Sequence, residues 1–442
     1  MPDLFRLRVA LQKTCFTCQR PPAAGSRLRR CSRCRAVKYC CTACQEEDYG
    51  EHRSMCKNFA AALKTGVLPL LFAAMEGDEA TVRALLEEGT YVNGSVRGAL
   101  HEGRTALAMA AENGHTAVVK LLLDSGAAVD IQFFANAEAG WTPLFRSVAS
   151  GHEAVVLALV QAGSDVNMKL GTGSTMLFMA AQHGYAAIVA ALLAAGATVD
   201  TWAGVNRSNP LLMAVQERHA AVVKVLINAG ANVELTVPDG RSALWMAAEK
   251  GNEAIIVNLL EAGAEVDKEV PSTFFNGGCS PIFAAAMHGN AAAVTALARR
   301  GANVNRMVED GKTPLLIAAE VGDAATVVAL LQAGAEPGKT KPGKQTPLYL
   351  ASRSGHVGAV QALLQAGAEV NVAGGRFGAT ALSIGVAGGH VAVVAALVAA
   401  GAQVDQACDD GASPRTIAMA HRGNTALIVA LLGSEAARDF GR

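Results

Sequence analysis

No run of apolar residues in this 442-residue chain is long enough to cross a bilayer, although 51% of its residues are hydrophobic and its mean hydropathy is +0.26. The longest apolar stretches, such as Val391 to Ala402, fall short of the roughly 18–20 residues a spanning helix needs. Glycine and charge interrupt them at regular intervals, so the Ala, Val and Leu read as filling between stacked elements. Net charge is lacking as well, since 38 Lys and Arg meet 38 Asp and Glu. The first eleven residues carry Asp3, Arg6 and Arg8 and no apolar core or cleavage site of a secretory leader. An intracellular chain, cytoplasmic or nuclear, is therefore expected, with no membrane partner, and no import signal chooses between the two compartments. There is no glycine-rich phosphate loop either, because pieces such as Gly374-Gly375 fall between repeats.

What is present begins with sulfur. Between positions 15 and 56 stand Cys15-x2-Cys18, Cys31-x2-Cys34, Cys40-x3-Cys44 and His52-x3-Cys56. Structural zinc takes four tetrahedral thiolate or imidazole ligands, so eight ligands fit two ions with no position left open for water. Each Cys-x2-Cys can turn both sulfurs toward one point, and residues four apart stack on one helix face. Cys41 is an alternative to Cys40, because it would make the third pair Cys-x2-Cys. A disulfide framework fits poorly, since such frameworks belong to secreted chains. Some forty residues bury too little apolar surface to fold alone. Structural zinc supplies about 10–16 kcal/mol per site, much of it as folding energy, so this segment is expected to be unfolded without metal.

The same residues resemble the MYND zinc finger, most specifically in Tyr39-Cys40-x3-Cys44-Gln45 and the His52-x3-Cys56 ending. The resemblance selects Cys40 over Cys41, since Cys40 follows Tyr39. It implies interleaved sites, with Cys15, Cys18, Cys40 and Cys44 on one ion and Cys31, Cys34, His52 and Cys56 on the other. Tyr49 stands where the family usually has tryptophan. The resemblance also implies a partner, since MYND fingers typically take short proline-containing peptides.

From residue 67 onward the chain repeats itself. Thr-Pro-Leu recurs at Thr142, Thr313 and Thr346, with softer versions starting at Leu68, Thr105, Thr175, Asn209, Ser242, Ser280, Thr380 and Ser413. Those eleven units are spaced by 33 to 38 residues. In each, Thr or Ser should cap a first helix that Pro can enter without needing an amide hydrogen. Pairs such as Ala110-Ala111 and Ala318-Ala319 leave room for close packing. Glycines such as Gly151 and Gly355 supply a turn with positive φ, and a second helix such as Val118 to Leu123 follows. A Gly-Ala-x-Val-Asn/Asp tail then leads into a hairpin.

This pattern closely resembles the ankyrin repeat, and the fold it implies is an all-α repeat solenoid of helix-turn-helix-hairpin units behind a small two-zinc finger. The histidine that often follows Thr-Pro-Leu is replaced by residues such as Phe145, Phe178, Trp245, Leu316 and Tyr349. Arg218 holds an inter-helix glycine position, where strain is expected. The first unit is irregular and the last breaks its motif at Arg415, as the ends of a repeat stack must. The expected organisation is an N-terminal segment 1–14, a finger 15–56, a linker 57–66, an array 67–433 and a tail 434–442.

Residues 1–60 hold 12 Lys and Arg against 5 Asp and Glu. Arg27, Arg29, Arg30, Arg33, Arg35 and Lys38 cluster there, and seven thiolates with two zinc ions would reduce the formal +7 to about +4. Such a patch could touch nucleic acid. No aromatic platform is interleaved with it, however, so a solvated loop is preferred. Three repeat spacings are long, and two of their hairpins carry Phe133-Phe134 and Phe274-Phe275. Those four residues and Trp202, in another hairpin, are candidate partner contacts. The loop 337–344 reads as basic and solvated. His115, His152, His219, His356 and His390 share one repeat position, which marks them as scaffold. Cys279 and Cys408 read as isolated loop cysteines with no metal spacing. Some methyltransferases carry a MYND finger, but this chain has no residues left for their catalytic domain. A non-enzymatic adaptor without a small-molecule substrate is expected. The alternative is a transcription or chromatin regulator whose finger contacts nucleic acid or corepressors.

Overall fold

The computed structural model describes residues 67–95, 104–135, 138–203, 207–270, 278–340, 343–420 and 425–432, together with the strands Arg29–Arg30 and Lys38–Tyr39. The chain forms two compact bodies, Met1–Pro210 and Leu211–Arg442. In the first, β1 (Arg29–Arg30) pairs antiparallel with β2 (Lys38–Tyr39). Four helix pairs follow: α1 and α2 (Val67–Glu76, Glu79–Glu87), α3 and α4 (Ala106–Glu112, Thr116–Asp124), α5 and α6 (Pro143–Ala149, Glu153–Gln161), and α7 and α8 (Met176–His183, Ala186–Ala194). A two-stranded hairpin, β3 (Phe133–Ala135) and β4 (Glu138–Trp141), joins α4 to α5.

The second body opens with α9 (Pro210–Gln216), from its residue Leu211 onward, and α10 (Ala220–Asn228). It continues through α11 and α12 (Ala243–Lys250, Glu253–Glu261), α13 and α14 (Pro281–Met287, Ala291–Arg299), and α15 and α16 (Pro314–Val321, Ala324–Gln332). After these come α17 and α18 (Pro347–Ser354, Val357–Gln365), α19 and α20 (Ala381–Ala387, Val391–Ala399), and α21 and α22 (Pro414–Ala420, Thr425–Leu432). These eleven pairs coincide with the eleven sequence units, as the expected helix-turn-helix-hairpin repeat requires.

None of these helices exceeds ten residues, and helices that short are marginal in water, so packing must hold them. The first helix of each pair but the last is mostly buried, whereas the closing first helix buries only Pro414 and Ala418. Ala106 to Ala111 are buried without exception, as are Ala243 to Ala248 and Pro281 to Ala286. Alanine lets neighbouring first helices approach closely, and first helices pack on first helices, second on second. The second helices bury one stripe, such as Val118, Val119 and Leu122 or Ile255, Ile256 and Leu259.

The threonines cap as the sequence leads one to expect. Thr142 Oγ1 accepts the Phe145 amide at 3.3 Å, and Thr313 and Thr346 do the same for Leu316 and Tyr349. Ser280 makes no such bond, although Pro281 still starts its helix. Residues that replace the usual histidine are buried, among them Phe145, Phe178, Trp245, Leu316 and Tyr349. They serve as core, with Leu316, Tyr349 and Leu350 forming one cluster against Ala379 and Ile384. Among the described residues no helix is long and apolar enough to cross a membrane.

Candidate interaction surface

Consecutive repeats are tied by two sets of side-chain clasps, and these decide which residues remain free for partners. The first set starts from the residue just before each second helix. His115 Nε2 lies 2.9 Å from the Met75 carbonyl oxygen and His152 Nε2 lies 3.0 Å from that of Glu112. In the second body His356 and His390 reach the carbonyls of Glu320 and Arg353, each at 3.2 Å. Asn290 does the same by donating to Ala248 and Glu249. These four histidines are therefore structural bonds between neighbouring repeats.

The second set starts from the Asn/Asp of the tail. Asn93 Oδ1 accepts the Ala128 amide, Asp130 Oδ2 that of Asp165, and Asn167 Oδ1 that of Thr198. In the second body Asp267, Asn305 and Asn371 accept from Asn303, Glu336 and Gln403. Glu234 replaces the shorter side chain and still accepts the Glu265 amide at 2.9 Å. Lys268 Nζ adds bonds to Glu234 Oε2 at 2.6 Å and to its carbonyl at 2.8 Å. Partial burial raises the Glu234 carboxyl, but the Lys268 ammonium and Glu265 amide outweigh it and hold it below the ordinary value.

A third device was not read from the sequence. Glu112 meets Arg104 at 2.8 Å and, from the next repeat, Arg146 at 3.5 Å, all three being less than a fifth exposed. Arg146 stacks over Trp141 at 4.3 Å, and Trp141 meets the edge of Phe145 at 6.0 Å. Glu249 lies 3.6 Å from Arg241 and 3.9 Å from His288, while Glu320 pairs with Lys312 at 3.0 Å and Arg353 at 2.7 Å. Each glutamate thus joins a cation of its own repeat to a basic side chain of the next. The signal was a cation immediately before the helix cap with glutamate eight residues later: Arg104/Glu112, Arg241/Glu249 and Lys312/Glu320.

With these positions committed to packing, side chains at the hairpin tips are left over. Trp202 lies there and is 41% exposed, Met307 is 52% exposed, and Tyr91 and Phe377 exceed 60%. Phe133 and Phe134 lie on β3, whose Phe133 is in register with Trp141 of β4, so the extra residues of this spacing extend a hairpin. Phe274 and Phe275 lie outside the described residues. Two further sequence readings change. Cys279 is a buried core residue, with burial pushing its thiol up to about 11 and the adjacent Trp245 indole moderating the rise. The loop 337–344 is not merely solvated, because the Gly375 amide donates to the Gly343 carbonyl at 2.7 Å.

The proposed zinc ligands Cys15, Cys18, Cys31, Cys34, Cys40, Cys44, His52 and Cys56 lie outside the described residues. Residues 31–37, which include Cys31 and Cys34, connect β1 to β2, and Cys40 directly follows β2. The donor set, seven thiols and one imidazole, suits zinc. Among the described residues no cluster of His, Cys, Asp and Glu could hold a metal.

The models of two known families agree with this layout. The family model for ankyrin repeats (three copies) matches overlapping segments from 40–133 through 177–270 to 348–439, and that for the MYND finger matches residues 15–56. Among solved structures, the human ASB11 ankyrin repeat domain is similar at 29% identity, covering 53% of this chain and all of that one with a TM-score of 0.44. No curated protein matches the chain. The chain belongs to the ankyrin-repeat family and carries a MYND finger ahead of its repeats.

Proposed function

We propose that this protein is a non-enzymatic, zinc-binding adaptor that joins partner proteins through its finger and its repeat surface. MYND fingers and ankyrin repeats are both protein-interaction modules. The observation that carries the reading is the division of labour within each repeat. Caps, alanines, clasps and glutamate triads hold the stack, while the exposed large side chains at the hairpin tips, Trp202 among them, contribute little to it. On this reading the finger 15–56 is joined by the linker 57–66 to the array 67–433, and takes short proline-containing peptides. Cys15, Cys18, Cys40 and Cys44 hold one zinc ion, and Cys31, Cys34, His52 and Cys56 hold the second. Phe133, Phe134, Phe274, Phe275 and Trp202 contact partners of the array. Two linked surfaces raise each other's effective concentration, so modest affinities combine.

A second reading rests on basic charge. Arg29, Arg30 and Lys38 belong to the paired strands β1 and β2, and a transcription or chromatin regulator could use the basic finger on nucleic acid or on corepressor partners. One experiment separates the two. Proteins recovered with the full chain are compared with those recovered by its Cys40→Ala and His52→Ala variants, with and without nuclease. Loss of a specific set with the finger variants, unaffected by nuclease, supports the adaptor. Loss on nuclease treatment supports the regulator. Recovery of no specific partner by any form would sink both.

A further inference from the structure

Three successive hairpins near the end of the second body expose Lys344, Phe377 and Asp409 side by side. Phe377 is 64% exposed and its backbone sits at φ 62° and ψ 29°, a left-handed conformation that residues with side chains seldom adopt. Neighbours on both flanks impose it. The Asp409 amide donates to the Phe377 carbonyl at 2.7 Å, and a Cβ on Gly378 would fall 2.7 Å from Asp409 Oδ1. On the other flank the Gly375 amide bonds to Gly343, and Gly374 lies so close to the Lys344 carbonyl that a Cβ would overlap it. Lys344 is itself left-handed, at φ 54°. The aromatic ring is thus held outward by its supports, with a cation on one side and a carboxylate on the other.

Several charges near the row are engaged. Lys339 pairs with Glu336 at 3.5 Å, Arg353 with Glu320 at 2.7 Å, and Asp405 with Arg415 at 2.5 Å. Asp410 accepts the Ala412 amide at 2.9 Å. Among the described residues Lys344 and Asp409 make no ion pair or side-chain hydrogen bond, and both are exposed. The row therefore has a charge polarity, positive at Lys344 and negative at Asp409, with Phe377 as an apolar centre.

We propose that this row is a docking strip for an extended segment of a partner protein in which one apolar residue stands between an acidic and a basic residue. The partner's acidic residue faces Lys344 and its basic residue faces Asp409, so charge order selects the segment and its direction. A ring already held outward loses little freedom on binding. The proposal rests on the adaptor reading and adds to it the place and chemistry of one contact.

The test is selection from a random-peptide display library with the full chain as bait, followed by anisotropy measurements on the enriched peptides. The expected peptides carry an apolar residue between opposite charges. Phe377→Ser should weaken them at least about tenfold, as loss of a central aromatic anchor does. Phe377→Gly should weaken them equally without lowering the melting temperature, because glycine accepts the left-handed backbone. Reselection on a Lys344→Glu, Asp409→Lys double variant should return the reversed charge order. Peptides indifferent to all of these substitutions would place binding elsewhere, leaving the adaptor reading intact and this proposal wrong. Failure to enrich any peptide would count against both. Self-association of the chain that Phe377→Ser abolishes would assign the strip to a second copy and overturn the partner segment.

Discussion

His356 reaches back from one repeat to lie over Gly322 of the repeat before it, with its Nε2 3.2 Å from the Glu320 carbonyl oxygen. Gly322 has φ 91°, and a Cβ there would overlap the imidazole. Glycine in one repeat and histidine in the next therefore form a single joint, and the same joint links Gly77 to His115, Gly114 to His152 and Gly355 to His390.

Gly322→Ala should destabilise the second body by about 1–3 kcal/mol, through left-handed strain and displacement of the ring. Adding His356→Ala should cost less than the sum of the two single changes, since the clash is gone. Urea denaturation followed by circular dichroism measures both. Strict additivity would show that the two residues do not form a joint.

Arg218 occupies the same turn position without being glycine, and it does adopt positive φ, at 66°. The next repeat places Asn252 here in place of histidine, with Nδ2 3.5 Å from the Arg218 carbonyl. Arg218→Gly should raise stability by about 1 kcal/mol by removing the left-handed penalty. A fall in the melting temperature would mean that the arginine side chain contributes more than its backbone costs.

The Glu234 clasp is sensitive to acid. Its folded carboxyl is held below the ordinary 4.5, so its stabilisation is complete above that value and is lost as pH falls through the lower folded one. The pair is partly exposed, so the effect should stay below about 1 kcal/mol. Melting curves across the acid range should show Glu234→Gln losing part of the wild-type pH dependence. Identical curves would show that the clasp does not depend on charge.

Elemental analysis of the purified chain should find two zinc ions. Cys40→Ala and His52→Ala should each remove one ion or unfold the finger, and chelation should leave the helical signal of the repeats in place. A wild-type count of one ion breaks the paired-site assignment.

The repeats were legible because their rules are local. A cap at Thr142, proline after it and small residues at Ala110-Ala111 each state a backbone or packing requirement within a few positions. The clasps needed a second repeat to be seen, since His152 finds its acceptor forty residues away at Glu112. The glutamate triads were written at a fixed spacing but repeated only three times, against eleven helix pairs. Phe377 gave no signal, because its exposure comes from the contacts of its neighbours Gly343 and Asp409. Cys279 looked like a stray loop cysteine, although the β-bridge between it and Val270 carries it into the core.

Gly338 stands where Asn305 and Asn371 supply the tail clasp in the neighbouring repeats, and glycine has no side chain with which to accept the next amide. In a protein whose parts touch only their neighbours, one missing tie is not averaged away. The repeat of α15 and α16 is held to that of α17 and α18 by helix packing and by the reach of His356 and Arg353 to Glu320, without a tail clasp. The Glu369 amide, which a side chain at 338 would have bonded, should therefore exchange faster than the clasped amides of Glu336 and Gln403. The docking strip lies wholly on the later side of that seam, with Lys344 in the hairpin that follows Gly338 and Phe377 and Asp409 in the two hairpins after it. A partner seated across the three hairpins would therefore brace the later repeats against one another while replacing none of the tie that Gly338 leaves out.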